Sequence, residues 1–280
     1  MKYNLSIIIS HYCPNKSKNP LFKTIDSIKN QVSNNNIEII IADDGSKYSE
    51  KITNEHSKKF IIPNDKRCFY ILKEDRLNFF LDENNINNKL IKKWIYLPKK
   101  VQCMSKARVL NEAVKFAESK YLLFLDDDNY LMKDNSIKSI LTLFKKYDFI
   151  VGQIQDKNGN LRSYNSSRVQ GTTIAIKTKI FNKIKGFGNW TEEYSCGVDS
   201  DFWIKVFNYF QKNNQLKACY VDTIITCDSY SKRWKKYTKF FKEIRLKYKF
   251  YKLYNCKNYK SPRYNLSRNK KIWIENLINE

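Results

Sequence analysis

The chain reads as an α/β fold, a central sheet flanked by helices, and three stretches carry that reading. Tyr121-Leu122-Leu123-Phe124-Leu125 is a run of large apolar side chains that stops in Asp126-Asp127-Asp128-Asn129. A strand of that composition is buried on both faces, and in α/β folds ligands bind just beyond the carboxyl ends of such strands. A second run, Ile37-Glu38-Ile39-Ile40-Ile41-Ala42, ends the same way in Asp43-Asp44-Gly45-Ser46. The opening run Leu5-Ser6-Ile7-Ile8-Ile9-Ser10 is a third strand, and after the polar loop His11 to Pro20 the residues Leu21, Ile25 and Ile28 recur at helical spacing. Strand, helix, strand in that order makes the first two strands parallel through a right-handed crossover.

The remaining elements follow in sequence. Cys68-Phe69-Tyr70-Ile71-Leu72 is a further strand. Lys73 to Lys100 is polar, rich in Asn and Lys and without clear period, which predicts a loop with short helices. Ala107, Leu110, Val114 and Ala117 form a helical stripe ahead of the acidic strand. Asp148 to Ile154 and Thr172 to Lys177 read as strands, with a hairpin turn at Gly159, and a helix is expected from Asp199 to Gln211. The length of 280 residues suits one α/β domain, 1–230, followed by an extension, 231–280.

Composition narrows the class. Seven cysteines without a C-x-x-C pair point to reduced thiols and a cytoplasmic location. No signal peptide is evident, and no apolar run approaches the ~18 residues of a spanning helix. The net charge of +24 is concentrated near the C-terminus, where sixteen Lys and Arg between Ser231 and Trp273 face the single acid Glu243. Trp234, Tyr237, Phe240, Phe241, Tyr248, Phe250, Tyr251 and Tyr254 are interleaved with them. This mixture reads as an interfacial helix on anionic lipid, worth roughly 1 kcal/mol per Lys or Arg near the surface, and so as a peripheral position on the inner face of the cytoplasmic membrane. Nucleic acid is the competing partner and ranks below lipid. A third reading is compositional, since Lys, Asn, Ile and Tyr are abundant throughout.

Three adjacent acids at a strand end repel one another. They raise one another's pKa or demand a cation, and a hard divalent ion with oxygen ligands answers that demand; a solvated turn is the plainer alternative. Asp126 and Asp128 would share a face of an outgoing strand, with Asp127 on the other. Two further pieces complete a pattern: Ser105-Lys106-Ala107-Arg108-Val109-Leu110-Asn111-Glu112-Ala113, and Gly197-Val198-Asp199-Ser200-Asp201-Phe202-Trp203. In this order, and over about residues 3 to 230, the chain resembles a family-2 glycosyltransferase of GT-A fold.

The resemblance implies a mixed central sheet and transfer of a sugar from a nucleotide-sugar donor to a glycan or lipid-linked glycan acceptor. It also implies inversion at the anomeric carbon, dependence on Mn²⁺ or Mg²⁺, and a role in cell-surface polysaccharide such as capsule or lipo-oligosaccharide. Asp126 and Asp128 match the two acids of the family's D-x-D metal motif; Asp127 ranks second as a ligand, as an acceptor for the donor's ribose or sugar. One of Asp43 and Asp44 would bind the base or ribose, with Gly45 allowing the turn, Ser46 capping it, and Ser10 and His11 beside the base. Arg108 would reach the diphosphate, or be a solvated helix residue. Asp199 matches the Asp of the family's E-D segment, the base that deprotonates the acceptor; Val198 stands in place of the Glu, Asp201 is a rival, and a helix N-cap is the structural alternative. Trp190 and Trp203 would stack on a sugar or fill the core. Many relatives carry a late histidine in a context like Thr226-Cys227-Asp228-Ser229-Tyr230-Ser231. This chain has none after His56, which leaves Asp228 as a substitute ligand. The rival class is a GT-A-fold protein that has lost turnover and binds membrane or nucleic acid; a nucleotidyltransferase is disfavoured by the missing Gly-rich phosphate loop.

Overall fold

The computed structural model describes residues 2–14, 19–29, 31, 36–53, 57–63, 65–86, 89–100, 103–164, 169–228, 240–255 and 273–278. His56, Ser229 to Ser231, Trp234, Tyr237 and the basic residues Lys232 to Lys239 and Lys257 to Lys271 lie outside them. In chain order the elements are β1 (Leu5–His11), α1 (Leu21–Lys29), β2 (Ile37–Asp43), β3 (Ser57–Ile61), β4 (Cys68–Leu72), α2 (Glu74–Glu83), β5 (Ile91–Tyr96), α3 (Lys106–Lys115), β6 (Tyr121–Asp126), β7 (Asn129–Leu131), α4 (Ser136–Leu143), β8 (Phe149–Gln155), β9 (Ile174–Lys177), α5 (Thr178–Lys183), α6 (Val198–Gln211), β10 (Ala218–Asp228), α7 (Phe240–Tyr254) and β11 (Ile274–Asn276).

The strands form one mixed sheet in the order β11-β10-β8-β9-β6-β1-β2-β5-β4-β3, with β7 paired to β10. Its centre is parallel. β1 runs beside β2 and β6, and β2 beside β5, while β9 enters antiparallel between β6 and β8. Side chains alternate between the two faces, as strand geometry requires: Ile8 joins the cluster packed by α3, α5 and α6, whereas Ile7 and Ile9 join the cluster packed by α1, α2 and α4. The near-continuous apolar runs of β1, β2 and β6 are explained by this double cover.

The stretch from Lys73 to Lys100, expected as a loop with short helices, holds the helix α2, whose Leu77, Phe80 and Leu81 are buried, but also β5, an internal strand of the sheet that the expectation lacked. Lys92 and Lys93 interrupt the apolar pattern of β5. Lys93 is tolerated in a buried strand because its ammonium pairs with Glu38 at 3.2 Å and Glu118 at 2.6 Å. Within the stretch expected as an extension after residue 230, the described residues 240–255 and 273–278 pack on the sheet. β11 pairs in parallel with β10, Trp273 stacks on Phe149, and Leu246 and Phe250 of α7 are buried in the main core. Among the described residues no helix is long and apolar enough to cross a membrane, and six cysteines are unpaired.

Candidate active site

Strand register assembles the first wall of the site. Ser10 sits opposite Ala42 on one side and Asp126 on the other, and His11 sits opposite Asp43. The carboxyl ends of β1, β2 and β6 therefore finish level, and Ser10 Oγ donates to Asp126 Oδ1. The two acids after β2 have different work. Asp43 is buried and accepts from Ser46 N at 2.8 Å, Ser49 Oγ at 2.5 Å and Trp94 Nε1 at 3.2 Å, so it holds the turn in place. Asp44 lines the cleft. Its Oδ2 accepts from Lys99 Nζ and Ser105 N, each at 2.9 Å, while its buried Oδ1 has no hydrogen-bond partner among the described residues. Burial pushes the Asp44 carboxyl up to about 6, against the opposing pull of Lys99 and the Ser105 amide. Gly45 adopts φ +84°, and a Cβ there would fall 2.6 Å from Lys99, so glycine is required both for the turn and for the approach of that lysine.

The three acids of the triplet all line the cleft but differ in burial. Asp127 is buried; its Oδ2 lies 2.6 Å from His11 Nδ1 and accepts from Tyr12 N at 3.2 Å, and the far nitrogen of His11 meets Tyr48 Oη at 2.6 Å. His11 is thus the last residue of β1, locked in a polar chain at the cleft floor. Asp126 and Asp128 are half-buried and line the cleft. The Lys106 ammonium stands 2.5 Å from Asp126 Oδ1. Burial would lower the pKa of Lys106, but the carboxylates of Asp126, Asp199 and Asp128 outweigh it and hold the amine above the ordinary lysine range.

The second wall is the start of α6. Gly197 caps it with φ +91°, Val198 is buried in the core, and Asp199 lines the cleft. A Cβ on Gly171 would lie 2.0 Å from Asp199 Oδ1, so the carboxylate rests directly on the Gly171 backbone. Asp201 is buried away from the cleft. It accepts from Trp190 Nε1 at 2.8 Å and from Tyr254 Oη, and pairs with Lys205 at 2.8 Å. Trp203 is also core, donating to Gln170 O at 2.7 Å, and Trp190 is engaged with Asp201.

Two expected residues are not brought into this cleft. Arg108 donates to Glu192 Oε2 at 2.7 Å and lines a second cavity with Arg67 and Asp65. Among the described residues the cation lining the acidic cleft is Lys106, two residues earlier on the same helix. Asp228 pairs in register with Asn129 at the end of β10 and is not among the residues lining the cleft. Glu192, Lys106 and Gly171 were missed by sequence reasoning. Only Lys106, in the first turn of a helix already singled out, left a local signal. Glu192 is buried, and hydrogen bonds from Ser105, Arg108 and Arg67 overcome the burial and hold its carboxyl below the usual range.

Asp126 and Asp128 offer hard oxygen donors, which suit Mg²⁺ or Mn²⁺; Lys106 already sits on one oxygen of Asp126, so a metal ion would use the others. Among the described residues no three His, Cys, Asp or Glu converge to hold an ion unaided. The remaining ligands would come from substrate phosphate and water, as is usual for Mg²⁺.

The cleft lies at the carboxyl ends of the parallel strands β1, β2 and β6. Residues 6–80 and 85–206 match the model of glycosyl transferase family 2, and the chain belongs to that family. Among solved structures it is similar to Staphylococcus aureus TarS, with 14% identity, 88% of this chain and 42% of that one covered, and a TM-score of 0.53. It is also similar to the mannosyltransferase PcManGT from Pyrobaculum calidifontis, solved in complex with GDP-Man and Mn²⁺, with 14% identity, coverage of 83% and 59%, and a TM-score of 0.53. At that identity the likeness establishes the fold, the mixed α/β GT-A sheet of glycosyltransferases. The chain spans 42% to 59% of the length of these solved chains. No curated protein sequence matches it.

Proposed function

We propose that the protein transfers a sugar from a nucleotide-sugar donor to a hydroxyl of a glycan or lipid-linked glycan, in a metal-dependent, inverting reaction serving cell-surface polysaccharide such as capsule or lipo-oligosaccharide. The observation that carries this is the convergence of three functions on one cleft: the unpartnered oxygen of Asp44, the half-buried pair Asp126 and Asp128, and Asp199 opposite them. The family membership sets the reaction class.

Each group has a task. Asp44 Oδ1 accepts an N–H of the nucleobase or a ribose hydroxyl, since a buried acceptor without a partner gains most from one. Asp126 and Asp128 would hold Mn²⁺ or Mg²⁺, which when bound neutralises charge on the departing diphosphate. Lys106 adds a second, permanent positive charge on the same side. Asp127 fixes His11 and the turn beneath the donor. Asp199 takes the proton of the acceptor hydroxyl as its oxygen forms a bond to the anomeric carbon and the bond to the diphosphate breaks on the opposite face. One displacement inverts that carbon.

The second reading, a fold-only relative that binds membrane or nucleic acid, draws on Val198. Its side chain is buried where the family carries a Glu. The transferase reading is favoured because Asp199 keeps its place on the cleft wall without that neighbour.

Calorimetric titration with UDP, GDP and their sugar conjugates tests the proposal. Binding is expected with Mn²⁺ and is expected to fall sharply with EDTA or in Asp128→Ala. Equal affinity in all three conditions would remove the metal from the mechanism, and binding of no nucleotide would remove the transferase.

A further inference from the structure

Helix α7 presents two different faces. The inner one holds the catalytic wall: Leu246 and Phe250 are buried, the Phe250 ring lies 5.0 Å from that of Trp190, and a Cβ on Gly197 would meet Phe250 at 3.1 Å. Tyr254 Oη donates to Asp201. The outer face is apolar where a surface helix should be polar. Phe241, Ile244, Tyr248 and Tyr251 are 76%, 47%, 64% and 46% exposed. Their spacing of i, i+3, i+7 and i+10 aligns them in one stripe at 3.6 residues per turn. Exposed Arg245 and Lys252 border one edge and exposed Lys247 the other, and Glu243 is the only acid of the helix.

We propose that this stripe is a docking surface for an anionic lipid bilayer, with α7 lying in the plane of the interface. The aromatic and aliphatic side chains enter the headgroup boundary, and the flanking cations meet the lipid phosphates. Charge and polarity together select this partner. A phosphate backbone of nucleic acid satisfies the cations but offers Phe241 and Ile244 no apolar medium, and a second copy of the helix would set cation against cation. Because the inner face of the same helix grips Gly197 and Asp201 on either side of Asp199, docking sets the cleft beside the bilayer. This favours a lipid-linked acceptor; that last step alone rests on the transferase reading.

Co-flotation of the full chain with vesicles, in the absence of nucleotide, tests the docking independently of any transfer activity. Vesicles of phosphatidylglycerol and phosphatidylethanolamine are compared with phosphatidylcholine alone. The wild type is expected to float with the anionic vesicles only, less so as salt rises. Arg245→Gln and Lys252→Gln should each lower partitioning about fivefold, and the double change Phe241→Ser with Tyr248→Ser by on the order of tenfold. All four side chains are exposed, so thermal melting should be unchanged. Three results would overturn the proposal: no wild-type flotation, α7 variants that float as well as the wild type, or variants that lose only a shift of duplex DNA. Nucleotide titration on the same samples reads the transferase separately, so either idea can fail alone.

Discussion

The two walls of the cleft are built by different means. On the strand wall, Ser10, Asp44 and Asp126 sit at or just past the ends of β1, β2 and β6, and their positions follow from backbone register and short-range turns. On the helix wall, Asp199 opens α6 behind a left-handed Gly197 with no side-chain cap, and its place depends on Gly171, on the Trp190–Asp201–Tyr254 cluster and on Phe250 of α7. Parallel strand ends can be altered chemically without moving. The helix wall is held by side chains distant in sequence, so geometry and chemistry fail there together.

The sharpest break of this contrast is within α6 itself. Asp199→Asn should lower transfer by about 10²–10⁴ at saturating donor, because it removes the basic oxygen and keeps the shape. Nucleotide affinity should hold. Asp201→Asn should act through the fold instead, costing about 1–3 kcal/mol of stability through its buried partners, with a much smaller loss of turnover per folded molecule than Asp199→Asn. Melting and single-turnover rates measured on both variants decide it. If Asp201→Asn is the dead enzyme and melts normally, the two residues have exchanged roles.

A smaller effect is expected from Gly171→Ala. The new methyl would occupy the position of the Asp199 carboxylate, 2.0 Å away, and a displacement of about 1 Å at a reacting group costs on the order of 10² in rate. Donor binding on the strand wall should be untouched. Rates and calorimetry on Gly171→Ala, compared with Asp199→Asn, show whether the two walls are independent; a matched loss of nucleotide affinity would show that they are not.

The mildest test titrates the strand wall. Burial sets Asp44 near 6, so a donor N–H on its Oδ1 meets a charged carboxylate above that pH and a protonated one below. Nucleotide affinity should fall as pH drops through about 6, approaching tenfold per unit below it. Stability runs the other way, since a carboxyl whose folded pKa is raised binds its proton more readily in the native state. Asp44→Asn should flatten the binding profile. A wild-type profile flat from pH 5 to pH 8 would remove Asp44 from base recognition.

Much of this site is legible in the sequence. The apolar runs of β1, β2 and β6 and the acids that end them are local patterns, and burial on both faces leaves such runs no other arrangement. The sequence by itself therefore determined the α/β class, the central parallel strands and the acids at their ends. Tertiary structure decided how each acid is engaged: Asp43 spends its oxygens on the turn, Asp127 lines the cleft with one oxygen held by His11, and Asp201 is turned to Trp190, Tyr254 and Lys205. It also chose Lys106 over Arg108, made residues 91–96, within the polar stretch from Lys73 to Lys100, an internal strand through the Lys93 ion pairs, and paired β11 with β10 in the sheet. Hydrophobic period is a local property that one strand or helix already displays. Hydrogen-bond and charge partners are separated by tens of residues, and only the folded chain fixes which of them meet.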